Sequence, residues 1–112
     1  MDLDIKIRSV DEIEDILANE KATIIYFTSP KCNVCKTLRP KIMELMKDEF
    51  PEMGRYYADI SENQDIPAKF SVFTAPTILV FLEGKEFSRK SRAMSPAQLV
   101  DEIKRPYSIM MS

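Results

Sequence analysis

The sequence predicts an α/β fold in which a mixed sheet is covered by helices on both faces. Strand-like and helix-like apolar patterns alternate along the chain in the order β-α-β-α-β-α-β-β-α. The early strands are joined through helices, which implies right-handed parallel crossovers. A late hairpin around Gly84 adds antiparallel pairing.

The first strand and the first helix are marked by short-range patterns. Leu3, Ile5 and Ile7 alternate with polar residues, which predicts a short edge strand. Ser9 followed by Glu12 is a capping-box pattern that opens a helix. The apolar face of this helix comprises Val10, Ile13, Ile16 and Leu17.

A buried strand and a long helix follow. Residues 22–29, ATIIYFTS, are almost all β-branched or aromatic, as in a strand buried on both faces of a sheet. Helical spacing of apolar residues then runs from Asn33 to about Glu49. Pro40 lies inside that pattern and predicts a kink.

The second half of the chain repeats the alternation and ends in a hairpin and a helix. Residues 55–60 predict a strand, and 63–72 predict a short helix that begins near Pro67. Residues 77–82 predict a buried strand, which a tight turn joins to an exposed edge strand at 86–92.

The last helix defines the predicted end of the domain. Ser95 is the predicted N-cap, with Pro96 at the first helical position. Pro106 is expected to stop the helix. We therefore predict one domain over 1–106 and a C-terminal tail over 107–112, whose apolar residues have no evident place in the fold.

Composition limits the classes of partner. The 112 residues, 45% of them apolar, are enough for one core without disulfide staples or a structural metal. A net charge of −2 with no basic cluster argues against nucleic acid. We expect no membrane partner, because no apolar run approaches the roughly 20 residues that span a bilayer. Since no apolar signal segment opens the sequence, we expect a cytoplasmic location.

Both cysteines lie in TSPKCNVCKTLRP, residues 28–40, two residues apart. They follow a buried strand and open a helix, where unpaired backbone N–H groups point outward. The second cysteine comes almost one turn after the first, close enough for a disulfide. A redox couple, half of a metal site and two small core residues are the alternatives.

For a redox couple, simple energetics show how much activation the first thiol needs and assign the two roles. Lowering a thiol pKa from about 8.5 to about 7 takes roughly 2 kcal/mol of thiolate stabilisation. A helix dipole typically supplies about 0.3–1 kcal/mol. N–H···S bonds and the charges of Lys31 and Lys36 are the remaining sources. On this reasoning Cys32 is the exposed nucleophile and Cys35 the deeper resolving thiol.

A metal site is harder to build from this composition. Structural zinc requires four ligands, and the chain has no His and no third Cys. Zinc would therefore require two chains sharing their cysteine pairs, or carboxylate ligands. An iron–sulfur cluster within one chain lacks ligands for the same reason. We expect no metal and no organic cofactor.

Taken together, these patterns resemble the thioredoxin family over nearly the whole chain. The likeness is carried by CNVCK at 32–36 after the strand IIYF, Pro40, Asp59, APT at 75–77 before ILVF, and Gly84. It implies the thioredoxin fold, with a central mixed five-strand β-sheet flanked by four α-helices. It also implies a cis peptide bond before Pro76, beside the cysteines.

The resemblance extends to the residues of the site. The implied catalytic residues are Cys32 and Cys35. The implied substrate-binding residues are Lys31, Asn33, Val34, Ala75 and Pro76, with the backbone of Ala75 free to pair with an extended substrate. The implied supporting residues are Tyr26, Lys36, Pro40, Thr77 and Arg92.

Several positions depart from the family pattern. Lys31 stands where the family usually has Trp, and Asn33-Val34 replaces Gly-Pro between the cysteines. Tyr26 replaces a buried acid, and a Tyr with a pKa near 10 is a poor base, so slow resolution of mixed disulfides is expected. Arg92 replaces a groove-lining Gly; it either favours acidic partners or is a solvated cation.

The predicted function is thiol–disulfide oxidoreductase, exchanging electrons with protein or small-molecule disulfides through Cys32 and Cys35. The alternative is a thioredoxin-fold binding or redox-sensing module with weak or no turnover. The expected partners are disulfide-containing proteins and an electron-donating reductase or small thiol. The chain itself is expected to be a monomer.

Overall fold

The computed structural model describes residues 4–91 and 95–112. In these ranges five strands and four helices follow the predicted order. They are β1 Ile5–Lys6, α1 Val10–Asn19, β2 Ala22–Thr28, α2 Cys35–Glu49, β3 Gly54–Asp59, α3 Asp65–Lys69, β4 Thr77–Leu82, β5 Lys85–Ser91 and α4 Pro96–Met111. The predicted five-strand, four-helix fold is confirmed. Leu3, at the start of the predicted first strand, lies outside the described residues.

The five strands form one mixed sheet in the order β1-β3-β2-β4-β5. β3 pairs in parallel with both β1 and β2, whereas β4 is antiparallel to both β2 and β5. Phe27 near the end of β2 lies opposite Thr77 at the start of β4. The segment after β2 and the segment before β4 therefore meet at one end of the sheet.

Each face of the sheet carries its own apolar core. β2 is buried along almost its whole length, so its alternate side chains contribute to both cores. One core contains Ile25 and Phe27 under α1 and α3. The other contains Ile24 and Tyr26 under α2 and α4, together with both cysteines.

The helix caps follow the sequence signals. The Ser9 hydroxyl accepts a hydrogen bond from the backbone N–H of Glu12, and Ser95 caps α4 in the same way through the N–H of Gln98. Glu12 accepts in turn from the backbone N–H of Arg8, at 2.6 Å. Each cap satisfies a backbone donor that has no partner within its helix.

Two helix starts differ from the prediction. α2 begins at Cys35 instead of Asn33, because 33–34 form turns with i→i+3 hydrogen bonds ahead of the helix. α3 begins at Asp65, two residues before Pro67. Pro40 lies inside α2 as expected.

The prediction that Pro106 stops the last helix is wrong, because α4 continues through it to Met111. The Tyr107 ring packs on Phe50 at 4.8 Å between centroids, and its hydroxyl accepts from the Glu52 backbone N–H at 3.1 Å. An interior proline costs a helix about 3 kcal/mol. Burial of Tyr107 and partial burial of the two methionines at 110 and 111 supply a stabilisation of similar size. The boundary between a domain at 1–106 and a tail at 107–112 stays a prediction.

Candidate active site

Cys32 and Cys35 form a disulfide immediately after β2. The S–S distance is 2.08 Å and the Cα atoms are 5.4 Å apart. The predicted pairing of the two sulfurs on one side of the chain is therefore confirmed. Cys32, however, is only 8% exposed and Cys35 5%, so the expected exposure of Cys32 does not hold in the disulfide form.

Cys32 does not lie on the helix but in the turn that precedes it. Its backbone N–H donates to the Ser29 carbonyl at 3.0 Å, and its carbonyl accepts from the Cys35 N–H at 3.2 Å. The Lys36 N–H likewise donates to the Asn33 carbonyl, at 3.4 Å. These two amides are therefore bonded to turn carbonyls in the oxidised protein, so they do not supply the N–H···S bonds expected above.

The side chains next to the disulfide are exposed and mixed in character. Lys31, Asn33 and Lys36 face solvent. Val34 is 56% exposed although it is apolar. The disulfide is therefore flanked by two cations, an amide and one apolar contact.

The second segment at this end of the sheet is the one that contains Pro76. The bond between Ala75 and Pro76 is cis, as the resemblance implies. Ala75 is half-buried and packs against the core cluster that contains both cysteines. Thr77, which is buried, donates its hydroxyl hydrogen to the Thr74 carbonyl at 2.7 Å and so closes the turn before β4.

Tyr26 is fully buried in the same cluster, and its hydroxyl has no hydrogen-bond partner among the described residues. Burial raises its pKa from 10.0 to about 12, against the opposing effect of the Arg39 charge. The hydroxyl therefore stays protonated at neutral pH and cannot accept a proton. The sequence-based view of Tyr26 as a poor base agrees with this direction. Arg92 lies outside the described residues.

Three further residues with specific contacts or exposure were not predicted from the sequence. Arg39 stacks on Tyr57 and reaches into the cysteine side of the core. Phe73, three positions before Pro76, is 80% exposed beside a cleft of about 330 Å³. Arg89 on β5 donates to the backbone carbonyl of Phe70 at 2.6 Å. Only the position of Phe73 close to Pro76 offered a signal in the sequence.

Two further observations concern metals and membranes. Within 4–91 and 95–112, no group of three or more His, Cys, Asp or Glu side chains could hold a metal ion. No helix in the described part of the chain is both long and apolar enough to cross a bilayer.

Comparison with known proteins assigns the family. The thioredoxin family model matches residues 5–105. The chain belongs to the thioredoxin family. Its sequence is similar to that of the thioredoxin-like protein YdfQ of Bacillus subtilis (strain 168), with 31% identity over 103 residues, 92% of this chain and 91% of that protein.

Solved thioredoxins share the architecture of this thioredoxin-family protein. Thioredoxin 1 of the thermophilic eubacterium Thermosipho africanus TCF52B matches with a TM-score of 0.71 at 32% identity, over 80% of this chain and 99% of that one. Oxidised mitochondrial thioredoxin 3 of Saccharomyces cerevisiae matches with a TM-score of 0.79 over 90% of this chain and 93% of that one. At 22% identity the second match shows the fold alone.

The family and the cysteine pair together establish the activity. This thioredoxin-family protein is a thiol–disulfide oxidoreductase whose redox centre is the Cys32–Cys35 pair. Thioredoxin-family proteins act on disulfide substrates together with reductase partners. The alternative of a binding or sensing module without turnover is not favoured.

Proposed function

We propose that Cys32 attacks the substrate disulfide and that Cys35 resolves the product. The Cys32 thiolate forms a bond to one substrate sulfur while the other leaves as a thiolate. Cys35 then loses its proton and attacks the Cys32 sulfur, which releases the second substrate thiolate. The substrate gains two electrons, and the Cys32–Cys35 disulfide is left behind.

The observation that carries this order is the position of each sulfur relative to α2. Cys35 is the first residue of the helix and the less exposed of the two. Cys32 lies in the preceding turn, between the exposed side chains of Lys31 and Asn33. A substrate that approaches this end of the sheet therefore meets Cys32 before Cys35.

We propose that the substrate binds across the end of the sheet as an extended segment. The backbone of Ala75 lies on the side of the cysteine cluster and begins the segment that enters β4. Strand addition there would use main-chain hydrogen bonds for affinity. Lys31, Asn33, Val34 and Pro76 would contact the flanking side chains, and the exposed ring of Phe73 extends this surface.

The experiment is dithiothreitol-driven reduction of insulin by the wild type, two cysteine variants and one control variant. We expect turnover in the wild type and none with Cys32→Ser. Reduced beforehand and mixed with insulin in the absence of dithiothreitol, the Cys35→Ser protein should attack but not resolve, and should therefore accumulate a mixed disulfide with its substrate. Ile109→Ala, which truncates an exposed side chain on the last turn of α4, is the matched control and should retain turnover.

Two results would contradict this assignment. Retained turnover in Cys32→Ser would exclude Cys32 as the nucleophile. A stable mixed disulfide formed through Cys35 in the Cys32→Ser protein, and none in Cys35→Ser, would reverse the two roles.

We further propose that the chain works as a monomer in the cytoplasm, with electrons supplied by a reductase or a small thiol. The even spread of charge, with 16 basic and 18 acidic residues, supports the absence of a nucleic-acid or membrane partner. Light scattering of the purified protein should return the mass of one chain. A dimer mass would refute that part of the proposal.

A further inference from the structure

Arg39, four residues after Cys35 on α2, is a cation held against the sheet. Its guanidinium carbon lies 3.8 Å from the centre of the Tyr57 ring, and its Nε lies 3.1 Å from Oδ2 of Asp4. The Arg39 side chain is 32% exposed and that of Asp4 7%. The stacking and the ion pair hold the charge in place, unlike that of a freely solvated arginine.

This charge reaches the core that contains the cysteines. Tyr57 on β3 is the register partner of Tyr26 on β2, so the two side chains lie on the same face of the sheet. Arg39 lowers the pKa of Tyr26 against the larger, raising effect of burial. Tyr26 in turn belongs to the same buried cluster as Cys32 and Cys35.

Helix geometry places Arg39 beside Cys35. The two residues are four apart on α2, a spacing that puts side chains on one face with Cβ atoms about 5–6 Å apart. Both face the sheet, since Cys35 is buried and Arg39 stacks on β3. No other described residue of α2 combines this spacing with a side chain fixed by stacking against β3.

The other groups around Cys35 do not supply a comparable charge. β2 and β3 present the hydroxyl-bearing rings of Tyr26 and Tyr57, and Asp4 is the carboxylate paired with Arg39. Lys36, next to Cys35, is exposed. α4 presents apolar side chains to this core, namely Leu99, Val100 and Ile103, while its Glu102 binds Lys90 and Ser88 on β5.

We propose that Arg39 is a positioning residue for resolution: its positive charge stabilises the Cys35 thiolate in a cluster whose buried Tyr26 hydroxyl does not take up the Cys35 proton. The inference rests on the proposed role of Cys35 as the resolving thiol. In this mechanism the Cys35 proton passes to water instead of a buried base. The thiolate then attacks the Cys32 sulfur of the mixed disulfide, and the departing substrate thiolate takes up a proton from solvent.

The direct test is to titrate Cys35 in a Cys32→Ser background, where it is the sole thiol. The ultraviolet absorbance of the thiolate gives its pKa without any substrate. Arg39→Met should raise that pKa by about one unit, which is about a tenfold loss of thiolate at neutral pH. Arg39→Lys keeps the charge, so the pKa of Cys35 in that variant should stay close to the value with Arg39 present.

The matched control is Lys41→Met, which removes the same charge from an exposed position of the same helix. It should leave the pKa of Cys35 within about 0.2 units, because an exposed charge at this distance is screened. If Arg39→Met is too unstable to titrate, Arg39→Gln carries the same expectation. Circular dichroism at each pH confirms that the variant is folded.

A single-turnover experiment with both cysteines present gives a second readout. Arg39→Met should slow resolution about threefold, because the tenfold loss of thiolate is partly offset by the greater nucleophilicity of a thiolate with a higher pKa. A mixed disulfide should accumulate, while the rate of the first attack by Cys32 is unchanged. A purely structural role of Arg39 would lower the melting temperature and leave both the pKa and this ratio of rates unaltered.

The outcomes separate this proposal from the proposed function. An unchanged Cys35 pKa in Arg39→Met, or an equal shift in Lys41→Met, would refute the role of Arg39 while turnover of the wild type persists. Absence of insulin turnover in the wild type would refute the assigned role of Cys35 itself, whatever the titration shows.

Discussion

The two faces of the sheet differ in what their cores contain. Beneath α1 and α3 the core is apolar and includes three packed rings, with Phe70 lying 6.2 Å from Phe27 and 5.3 Å from Phe81 between centroids. Beneath α2 and α4 the core includes both cysteines and the unpaired hydroxyl of Tyr26. One face chiefly stabilises the fold, whereas the other carries the chemistry together with a polar group that costs stability.

Neighbouring residues of β2 offer the largest test of this division. Ile24 and Ile25 are both fully buried, but they face opposite cores. Either change to Ala should lower the free energy of unfolding by about 2–5 kcal/mol through loss of burial and a residual cavity. Urea unfolding of the oxidised and reduced proteins measures the loss.

The reduction potential then tests whether Ile25→Ala affects the redox centre on the opposite face. Ile25→Ala should destabilise the oxidised and reduced forms equally, so its reduction potential against glutathione should move by less than about 10 mV, equivalent to roughly 0.5 kcal/mol. A shift of about 30 mV or more in Ile25→Ala would show that the two faces are coupled, and the division would fail.

The next largest effect is expected at Tyr26. Tyr26→Phe removes a buried hydroxyl without a partner and should stabilise the protein by about 1–2 kcal/mol at neutral pH. Denaturant unfolding checks the gain. A loss of stability would indicate that the hydroxyl has a partner in solution.

The same variant should also change how the free energy of unfolding depends on pH in alkaline solution. The pKa of Tyr26 is raised from 10.0 in the unfolded chain to about 12 in the folded protein. The unfolded state therefore loses this proton first, and wild-type stability should fall as the pH rises from about 10 to about 12, by roughly 2–3 kcal/mol from this group. Tyr26→Phe should lack that component. Parallel profiles for the two proteins would contradict the assigned shift.

A smaller effect is expected where β5 contacts the segment between α3 and β4. Arg89 donates to the carbonyls of Phe70 and Ser71 and pairs with Glu86. Arg89→Ala should cost about 1 kcal/mol and mainly accelerate amide hydrogen exchange in 70–74. Arg89→Lys is the control and should retain part of the protection. Uniformly faster exchange in both cores would show that the contact is not local.

The smallest effect is expected where β5 contacts α4. Lys90, and then the Ser88 hydroxyl, hold the pKa of Glu102 below its usual value of 4.5. A depressed pKa contributes stability above 4.5, which is lost as the pH falls through the folded-state pKa. Because Glu102 is 38% exposed, Glu102→Gln should remove less than about 1 kcal/mol at neutral pH and nothing in strong acid. An equal loss at both pH values would exclude the ion pair as its cause.

The architecture was predictable because its signals are local. The runs 22–29 and 77–82 become Ala22–Thr28 and Thr77–Leu82, since β-branched, aromatic and apolar residues fill strands that are buried on both faces. The prediction that Pro106 ends the last helix was wrong because the contact that decides it is not local. The local effect of the proline is outweighed by burial of Tyr107 against Phe50, a contact between residues far apart in the chain.

Some features of the candidate site were likewise predictable from the sequence, and others were not. The cysteine pair was predictable from a short motif, whereas the cis bond before Pro76 was implied only by the family resemblance, since the spacing alone favours a trans bond. Arg39 and Arg89 were missed because their partners lie elsewhere in the chain: Tyr57 for the first, and for the second carbonyls 18 and 19 residues away. A charged residue reveals such a partner only when the fold is known.

The path of α4 has a practical consequence for handling the protein. Met110 and Met111 lie beside Glu20 and Lys21, ahead of the first residue of β2, whereas the disulfide follows the last. Seven residues of strand span about 23 Å, so the two locations are at opposite poles. A bead or sensor chip coupled beyond Ser112 would therefore leave the cysteine end of the sheet facing the bulk liquid, where it could react with disulfide-bearing proteins in a flowing sample.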